Sequence, residues 1–470
     1  MPLPIWRQTG VWAGLAGSLL VGIGACSNDF SFNPDGWGVG PIAVLAQAID
    51  RNTGTLLVLA GCLLLCVGWL ALLPRPGREL PSWLWLLWAA PLLVVPPVMS
   101  GDPFLYADLG WIMANGGNPY VDVLGSFGGP FQPFVDEFWA GNGVAYPPLA
   151  LEINRLMVHL GGMHPYWGVI AQRLPAVLGV ALLATFVPRL AERLGTDRNW
   201  AVWLGVLNPI VIVHLIGGAH NDTLMTGVVV LAVWLSVQRV PRVSASLVLA
   251  PIVIGLAMAL KQQAGLAVIA AAGLPVAAAL AGLPRLQRIA VLGWRTAVAT
   301  VVALATFVAV SLATGLGFGW TNWLSQMGRA RTMTVSVALG DALAFTGSDL
   351  THAANTLIAC LAAAGLAALL LSRPERPLEV TAWGSLLVLF IGQALHPWYV
   401  GLSLALLALV PLGRTACRWV VFVTIGYLIA YCVNNLYNWR VLPSLAVGLL
   451  AGVACYAIWV ARAERPTPLG

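Results

Sequence analysis

The chain has 470 residues, of which 59% are apolar and 9% charged. Soluble globular proteins carry about 25% charged residues, so a water-solvated globule is excluded and a membrane-embedded chain is indicated. The net charge of +6 comes from 23 Arg and one lysine, Lys261, and the placement of the arginines accounts for it without nucleic acid.

Arg7, an apolar run over 11–23 and the tetrapeptide Ile23-Gly24-Ala25-Cys26 have the outline of a lipoprotein signal. In a chain so rich in apolar runs a first transmembrane helix is the expectation, and either reading leaves the next loop outside. A spanning helix needs about 20 apolar residues. That length predicts spans near 10–27, 55–73, 82–99, 165–187, 200–216, 222–238, 245–260, 264–283, 294–314, 353–372, 379–394, 397–413, 418–434 and 441–461. The expected fold is an all-α polytopic bundle of about fourteen transmembrane helices (12–14), forming one integral membrane domain over 1–470. The seven cysteines fall almost entirely within apolar runs, with no disulfide or zinc spacing, and read as packing residues.

Arg and Lys gather in cytoplasmic loops. With the N-terminus inside, 17 of the 24 basic residues fall on the inner side, and Arg51, Arg155, Arg173, Lys261, Arg329, Arg331 and Arg440 fall outside. Twelve of the 18 acids also fall outside. The long polar segments are then extracytoplasmic: 28–53, a first loop over 100–164 and a second over 315–352. Within the first loop, 103–114 is amphipathic at helical spacing and is expected to lie along the membrane interface.

Ionisable groups near membrane depth are costly and mark function. Those expected at the outer rim are Asp102, Tyr106 and Asp108; Asn118 and Tyr120; Tyr146; the short turn His220-Asn221-Asp222; Lys261 with Gln262 and Gln263; Arg329 and Arg331; and His396, Trp398 and Tyr399. Asp102 has a competing structural reading as the N-cap of a helix that begins at Pro103. The Gly217-Gly218 pair alone would make the turn before His220, so three successive hydrogen-bonding side chains are surplus to it. Lys261 reads either as a snorkelling side chain or as a point charge facing phosphate. An extracytoplasmic site has no nucleotide sugars, so a donor arriving from the bilayer would be a polyprenyl monophosphate sugar.

Several of these segments together resemble the GT-C glycosyltransferases, and among them the actinobacterial polyprenyl-phosphomannose-dependent α-1,6-mannopyranosyltransferases of lipomannan and lipoarabinomannan synthesis. Ser100-Gly101-Asp102-Pro103-Phe104-Leu105-Tyr106 is similar to the family's first-loop Ser-Arg-Asp-x-x-x-Tyr. Gly117-Asn118-Pro119-Tyr120, Ala145-Tyr146-Pro147-Pro148-Leu149, Leu207-Asn208-Pro209 leading into Gly217-Gly218-Ala219-His220-Asn221-Asp222, Leu260-Lys261-Gln262 and His396-Pro397-Trp398-Tyr399 carry the rest. Gly101 stands where the family usually has Arg, and Pro147 where it has Gly. The resemblance implies an inverting transfer of a sugar, mannose first, to a glycolipid or glycan hydroxyl in the cell envelope, with an α-1,6 product and no cofactor or metal. In that scheme Asp102 is the general base and Lys261, Arg329 and Arg331 hold the donor phosphate. The remaining rim residues hold sugar or acceptor. The alternative from another class is a polytopic transporter or lipid-linked sugar flippase.

Overall fold

The computed structural model describes residues 5–28, 30, 33–34, 37–75, 79–240, 244–329, 332–343, 351–391, 394–437 and 441–463, with side chains described except at 326–329 and 459–463. These residues are helical or irregular, with no strand among them. Lipid offers backbone groups no partner, and a helix satisfies its own. Helical structure occupies all fourteen expected intervals.

By length and apolarity, however, seven helices among the described residues are able to cross a membrane, or eight if the pair Val211–Gly217 and Asn221–Ser236 counts as one span bent by 111°. The difference lies in how the apolar runs are divided. The run 82–99 is a short helix, Leu84–Ala89, followed by one 3-10 turn and irregular chain. The run 200–216 splits at Asn208-Pro209 into Arg198–Gly205 and a π-helical turn, Val211–Gly217. Thr9–Ala25, Ala245–Met258 and Pro397–Leu407 are apolar but shorter than a full span.

Small residues set the closest packing. Thr9–Ala25 and Arg51–Ala71 press Gly10, Gly17 and Gly24 against Gly68, Gly61 and Gly54, as small residues allow where helices meet in lipid. Asp50 caps the second helix by accepting from the N–H groups of Asn52 and Thr53 at 2.9 and 3.1 Å. Deeper in the bundle Trp69 and Trp203 stack at 4.1 Å, and each indole N–H donates to the other's backbone carbonyl at 2.8 and 2.7 Å. Two polar N–H groups are thereby buried at no loss.

Contacts between connecting segments divide into two sets. Arg288 pairs with Glu375, Arg373 and Arg376 with Glu379, Arg198 with Glu192, and Arg198 also donates to Leu80 O. These are all segments expected on the inner side. At the opposite ends Asp102 meets His220, Asp222 meets Lys261, Gln262 donates to Ala145 O, and Trp323 donates to Tyr120 O. Each set joins segments expected on the same side of the membrane.

Two expectations in the first loop are corrected. The helix Asp102–Ala114 is not interfacial, because Pro103 through Gly110 are all buried beneath the rest of the loop. The amphipathic helix is Pro148–Leu160, which buries Ala150, Leu151, Asn154, Met157 and Val158 and exposes Arg155, Leu156, His159 and Leu160. Arg173, expected on the outer surface, is buried within the helix Pro165–Leu194.

A Cβ at Gly61 would lie 2.6 Å from the carbonyl oxygen of Gly17, whereas one at Gly293 meets nothing within 4 Å. Gly61→Val is expected to cost about 1–3 kcal/mol through overpacking. Gly293→Ala should be neutral or stabilising, since alanine is the better helix former. Reversible denaturation in detergent micelles checks the pair.

Candidate active site

Both broken spans expose carbonyls that no helix satisfies. Arg173 gathers them. Its Nε donates to Ile216 O at 3.0 Å and its Nη2 to Gly217 O at 2.9 Å and Pro96 O at 3.4 Å. Its Nη1 donates to Leu93 O and Val95 O, both at 2.9 Å. One guanidinium thus caps two helix C-termini, where a cation also suits the dipole. Val98 N–H adds a bond to Gly217 O at 3.0 Å, and Tyr166 Oη one to Val94 O at 2.6 Å. The chain leaving the first break reaches Asp102, and the chain leaving the second reaches His220.

The two exits are conformationally strained. Met99 and Ala219 have φ of 51° and 53°, the left-handed region that side chains disfavour. Between the second break and His220, Gly218 is required by close approach. A Cβ there would stand 2.7 Å from His214 O and 2.8 Å from His220 Nε2.

Asp102 does not cap its helix. Its own N–H is accepted by Ser100 Oγ at 3.1 Å, and its carboxylate turns across the bundle. Asp102 Oδ2 accepts from Tyr106 Oη at 3.1 Å and lies 3.2 Å from His220 Nδ1. His220 Nε2 is buried without a partner, which fits the tautomer that carries its proton on Nδ1 and donates it to Asp102. Asp102 stands outside the spanning helices. Burial alone would raise its pKa, but the His220 hydrogen bond and electrostatic interactions with His220, His396 and Lys261 hold the carboxyl below the usual carboxylate range. Burial pushes the phenols of Tyr106 and Tyr146 well above their ordinary value, helped by the Asp102 charge, so both are donors at neutral pH.

Lys261 belongs to a second pair. Its Nζ donates to Asp222 Oδ1 and Oδ2 at 2.7 and 2.8 Å and sits 4.1 Å from the centroid of the Tyr399 ring. Gln263 Nε2 adds a bond to Asp222 Oδ1 at 3.2 Å. Behind both pairs His220 stacks on Trp398 at 3.5 Å, and His396 stacks on the same indole at 4.3 Å. Burial drives the His396 imidazole down to about 3, so it is neutral, and its Nδ1 meets Tyr431 Oη at 3.2 Å.

Asp102, Lys261, Tyr146, His396, Trp398 and Tyr399 line one cavity of about 320 Å³. Gln262 lines it too, and the other predicted residues that are described lie elsewhere. Tyr106 and His220 support Asp102, Asp222 holds Lys261, and Asn221 is buried with its Nδ2 unpartnered. Tyr120 braces the loop by donating to Tyr146 O at 2.7 Å, and Asn118 Oδ1 accepts from Tyr120 N at 3.0 Å to close a turn. Asp108 is buried away from the cavity and accepts from Gly125 N–H at 2.9 Å; burial raises its carboxyl to about 6. Arg331 and the Arg329 side chain lie outside the described residues. Sequence reasoning missed Tyr431, Thr332, Asp136, Trp139 and Trp323, which also line the cavity, and the Arg173 clamp beneath it. Arg173 alone carried a signal, as an unpaired arginine inside an apolar run.

Residues 11–279 match the sequence family described as alpha-(1→6)-mannopyranosyltransferase, N-terminal domain. The chain is 29% identical over 357 residues to alpha-(1→6)-mannopyranosyltransferase A of Mycobacterium tuberculosis, an alignment covering 70% of this chain and 65% of that relative, just under two thirds of its length. It is 25% identical over 452 residues to alpha-(1→6)-mannopyranosyltransferase B of Corynebacterium glutamicum, covering 86% of this chain and 72% of that one. Among solved structures it is similar to ArnT from Cupriavidus metallidurans in the apo state, at 16% identity and a TM-score of 0.39, over 87% of this chain and 77% of that chain.

Arg173→Met keeps the stem but takes the side-chain donor from five carbonyls, of which Leu93, Val95 and Pro96 lose the donor described for them while Ile216 and Gly217 keep backbone N–H partners. Each buried unsatisfied group costs about 1–3 kcal/mol, less what rearrangement recovers, so a net loss of about 3–5 kcal/mol is expected. Arg173→Lys, with three donors on a point charge, should recover part of it. Denaturation in micelles gives both values.

Proposed function

The chain belongs to the alpha-(1→6)-mannopyranosyltransferase family, and from that premise we propose that it is an inverting, polyprenyl-phosphate-sugar-dependent mannosyltransferase of the cell membrane. Its active site faces the extracytoplasmic side, and the arginine-rich segments face the cytoplasm. The observation that carries the reading is that Asp102 and Lys261, held by separate partners, share one cavity.

In the reaction an acceptor hydroxyl oxygen attacks the anomeric carbon of the donor. The new C–O bond forms as the bond from that carbon to the phosphate oxygen breaks, and the electron pair leaves on polyprenyl phosphate. Asp102 takes the hydroxyl proton as general base, a role worth about 10²–10⁴-fold. Its depressed pKa keeps it ionised at neutral pH, and Tyr106 and His220 fix its direction. One displacement inverts the anomeric carbon, so a β-linked donor yields an α product, α-1,6 in keeping with the family. His220 and Asp222 act here as positioning residues and not as sugar ligands.

Lys261 is the proposed phosphate contact, with a charge already matched by Asp222. Around the cavity the described side chains supply one lysine against Asp102, Asp136 and Asp222, so a phosphate needs further positive charge. Arg329, at the end of the 3-10 helix Gly319–Arg329 that brings Trp323 to the cavity, and Arg331 are the proposed source.

Membranes given radiolabelled polyprenyl-phosphomannose and a mannoside acceptor should move label into glycan without an ion gradient. Translocation with no new glycosidic bond would establish the flippase reading instead. Asp102→Asn should abolish transfer and keep donor binding; a fully active variant removes Asp102 from the mechanism. Wild-type kcat/KM should stay flat from neutral pH down past the usual carboxylate range. His220→Leu, which removes the hydrogen bond donated to Asp102, should move the acid limb toward neutral pH. Arg329→Ala and Arg331→Ala should each raise the donor KM about tenfold while leaving the acid limb in place.

A further inference from the structure

The cavity has two chemically different ends. One is the cluster around Asp102 and Lys261. The other is an apolar wall built by the two long loops: Leu124, Phe138, Trp139 and Val144 from the first and Trp323 from the second, with one carboxylate, Asp136, among them. Leu124 and Val144 are buried, whereas Phe138 is 50% exposed, so the wall runs from the cavity interior out to the protein surface.

The wall is built to keep its shape. Trp323 lies against Gly143, where a Cβ would come within 2.2 Å of the indole, and its Nε1 is committed to Tyr120 O at 3.1 Å. Trp323 therefore offers the cavity ring surface and no free donor. Phe138 and Trp139 meet edge to face at 4.8 Å. Asp136 Oδ1 accepts from Phe138 N–H at 2.8 Å, and its backbone carbonyl accepts from Trp139 N–H at 2.9 Å, so the carboxyl is tied to the same turn as the two rings.

Resting on the transfer reading above, we propose that this wall is the acceptor subsite, and that it takes the pyranose rings of the acceptor's glycan chain rather than an isoprenoid or acyl chain. A sugar ring has an apolar C–H face that packs on an indole and hydroxyls around its edge that donate to a fixed carboxylate. Rings with one oriented polar group are the lining such a ligand needs. An isoprenoid would desolvate the Asp136 carboxylate while leaving it only the backbone N–H of Phe138 as donor, a costly arrangement. The wall also consists of residues of the two long loops, which are read as extracytoplasmic, whereas a lipid chain reaches the cavity from the bilayer.

The full-length protein in lipid nanodiscs is assayed with polyprenyl-phosphomannose and an α-1,6-linked mannotetraoside. Asp136→Asn and Trp139→Ala should each raise the acceptor KM about tenfold, equivalent to about 1.4 kcal/mol, with donor KM and kcat at saturating acceptor within about twofold of wild type. Trp139→Phe, which keeps a ring and guards against misfolding, should fall between. An unchanged acceptor KM in both Asp136→Asn and Trp139→Phe overturns the subsite, and a rise confined to the donor KM gives the wall to the isoprenoid. Equilibrium binding of radiolabelled mannotetraoside separates this inference from the reaction it rests on. A wild-type protein that binds the glycan, loses binding in Asp136→Asn and transfers no label keeps the subsite and refutes the transferase reading. A wild-type protein that transfers label with wall variants unaffected does the reverse.

Discussion

A cation with no carboxylate partner among the described residues governs this architecture. Non-helical backbone is tolerated at membrane depth only where protein replaces the missing hydrogen bonds, and Arg173 does so for both breaks, near 93–96 and 216–217. A carboxylate partner would have neutralised the guanidinium and taken two of its donors. Carbonyls use all of its N–H groups and let the charge act on two helix ends together. Because the same side chain holds both breaks, the segments leaving them, toward Asp102 and toward His220, are fixed relative to each other. The 3.2 Å approach of His220 Nδ1 to Asp102 joins residues 118 apart in sequence and depends on that clamp.

The two aspartates show how identical groups acquire different tasks from their surroundings. Asp222 is buried and spends both oxygens on Lys261 and Gln263. Asp102 receives Tyr106 and His220 on Oδ2, and no protein donor to Oδ1 occurs among the described residues. Within the proposed reaction that asymmetry selects Asp102 as base, since a proton acceptor needs an oxygen still facing the reacting atoms. The Trp398 indole between His220 and His396 sets the plane of the imidazole, so the direction of the Asp102 contact is fixed from behind by packing.

The membrane class and the places of the helices were legible because apolarity over about 20 residues is a one-dimensional property. So were Asp102, Lys261, His396 and Tyr399, as polar groups where apolar ones are the rule. The division of the apolar runs was not. Asn208-Pro209 interrupts a hydropathic stretch without lowering its average, so 200–216 reads as one span and is two short helices. Facing was also hidden. Tyr106 and Asp108 share a helix with Asp102, but Tyr106 turns to Asp102 and Asp108 to Gly125, because the helix is buried all round and offers no polar stripe to orient it. Asp136 and Trp139 lie in an irregular loop and Trp323 in a short 3-10 helix, where no long periodicity says which way a side chain points. Arg173 was counted by the charge rule as a surface residue, since a rule about loops has no term for a cation that caps buried helix ends.

On the proposed transferase reading the site needs both loops for one further reason. In a transfer from phosphate to a sugar hydroxyl, water is a competing nucleophile for the same carbon, present at far higher concentration than any acceptor. Exclusion of water therefore decides between transfer and hydrolysis. The cavity reaches the outside past the wall where the second loop packs on the first, with Gly319 against Tyr120 and Trp323 against Gly143. Glycine at both contacts lets the aromatic rings lie directly on backbone, leaving no gap of a methyl group's width between the loops. On the proposed reading, the same rings that seal the mouth also receive the acceptor, so an acceptor seated on the wall completes the seal that an empty site leaves open. Hydrolysis is then suppressed in the state in which the correct nucleophile is already in place.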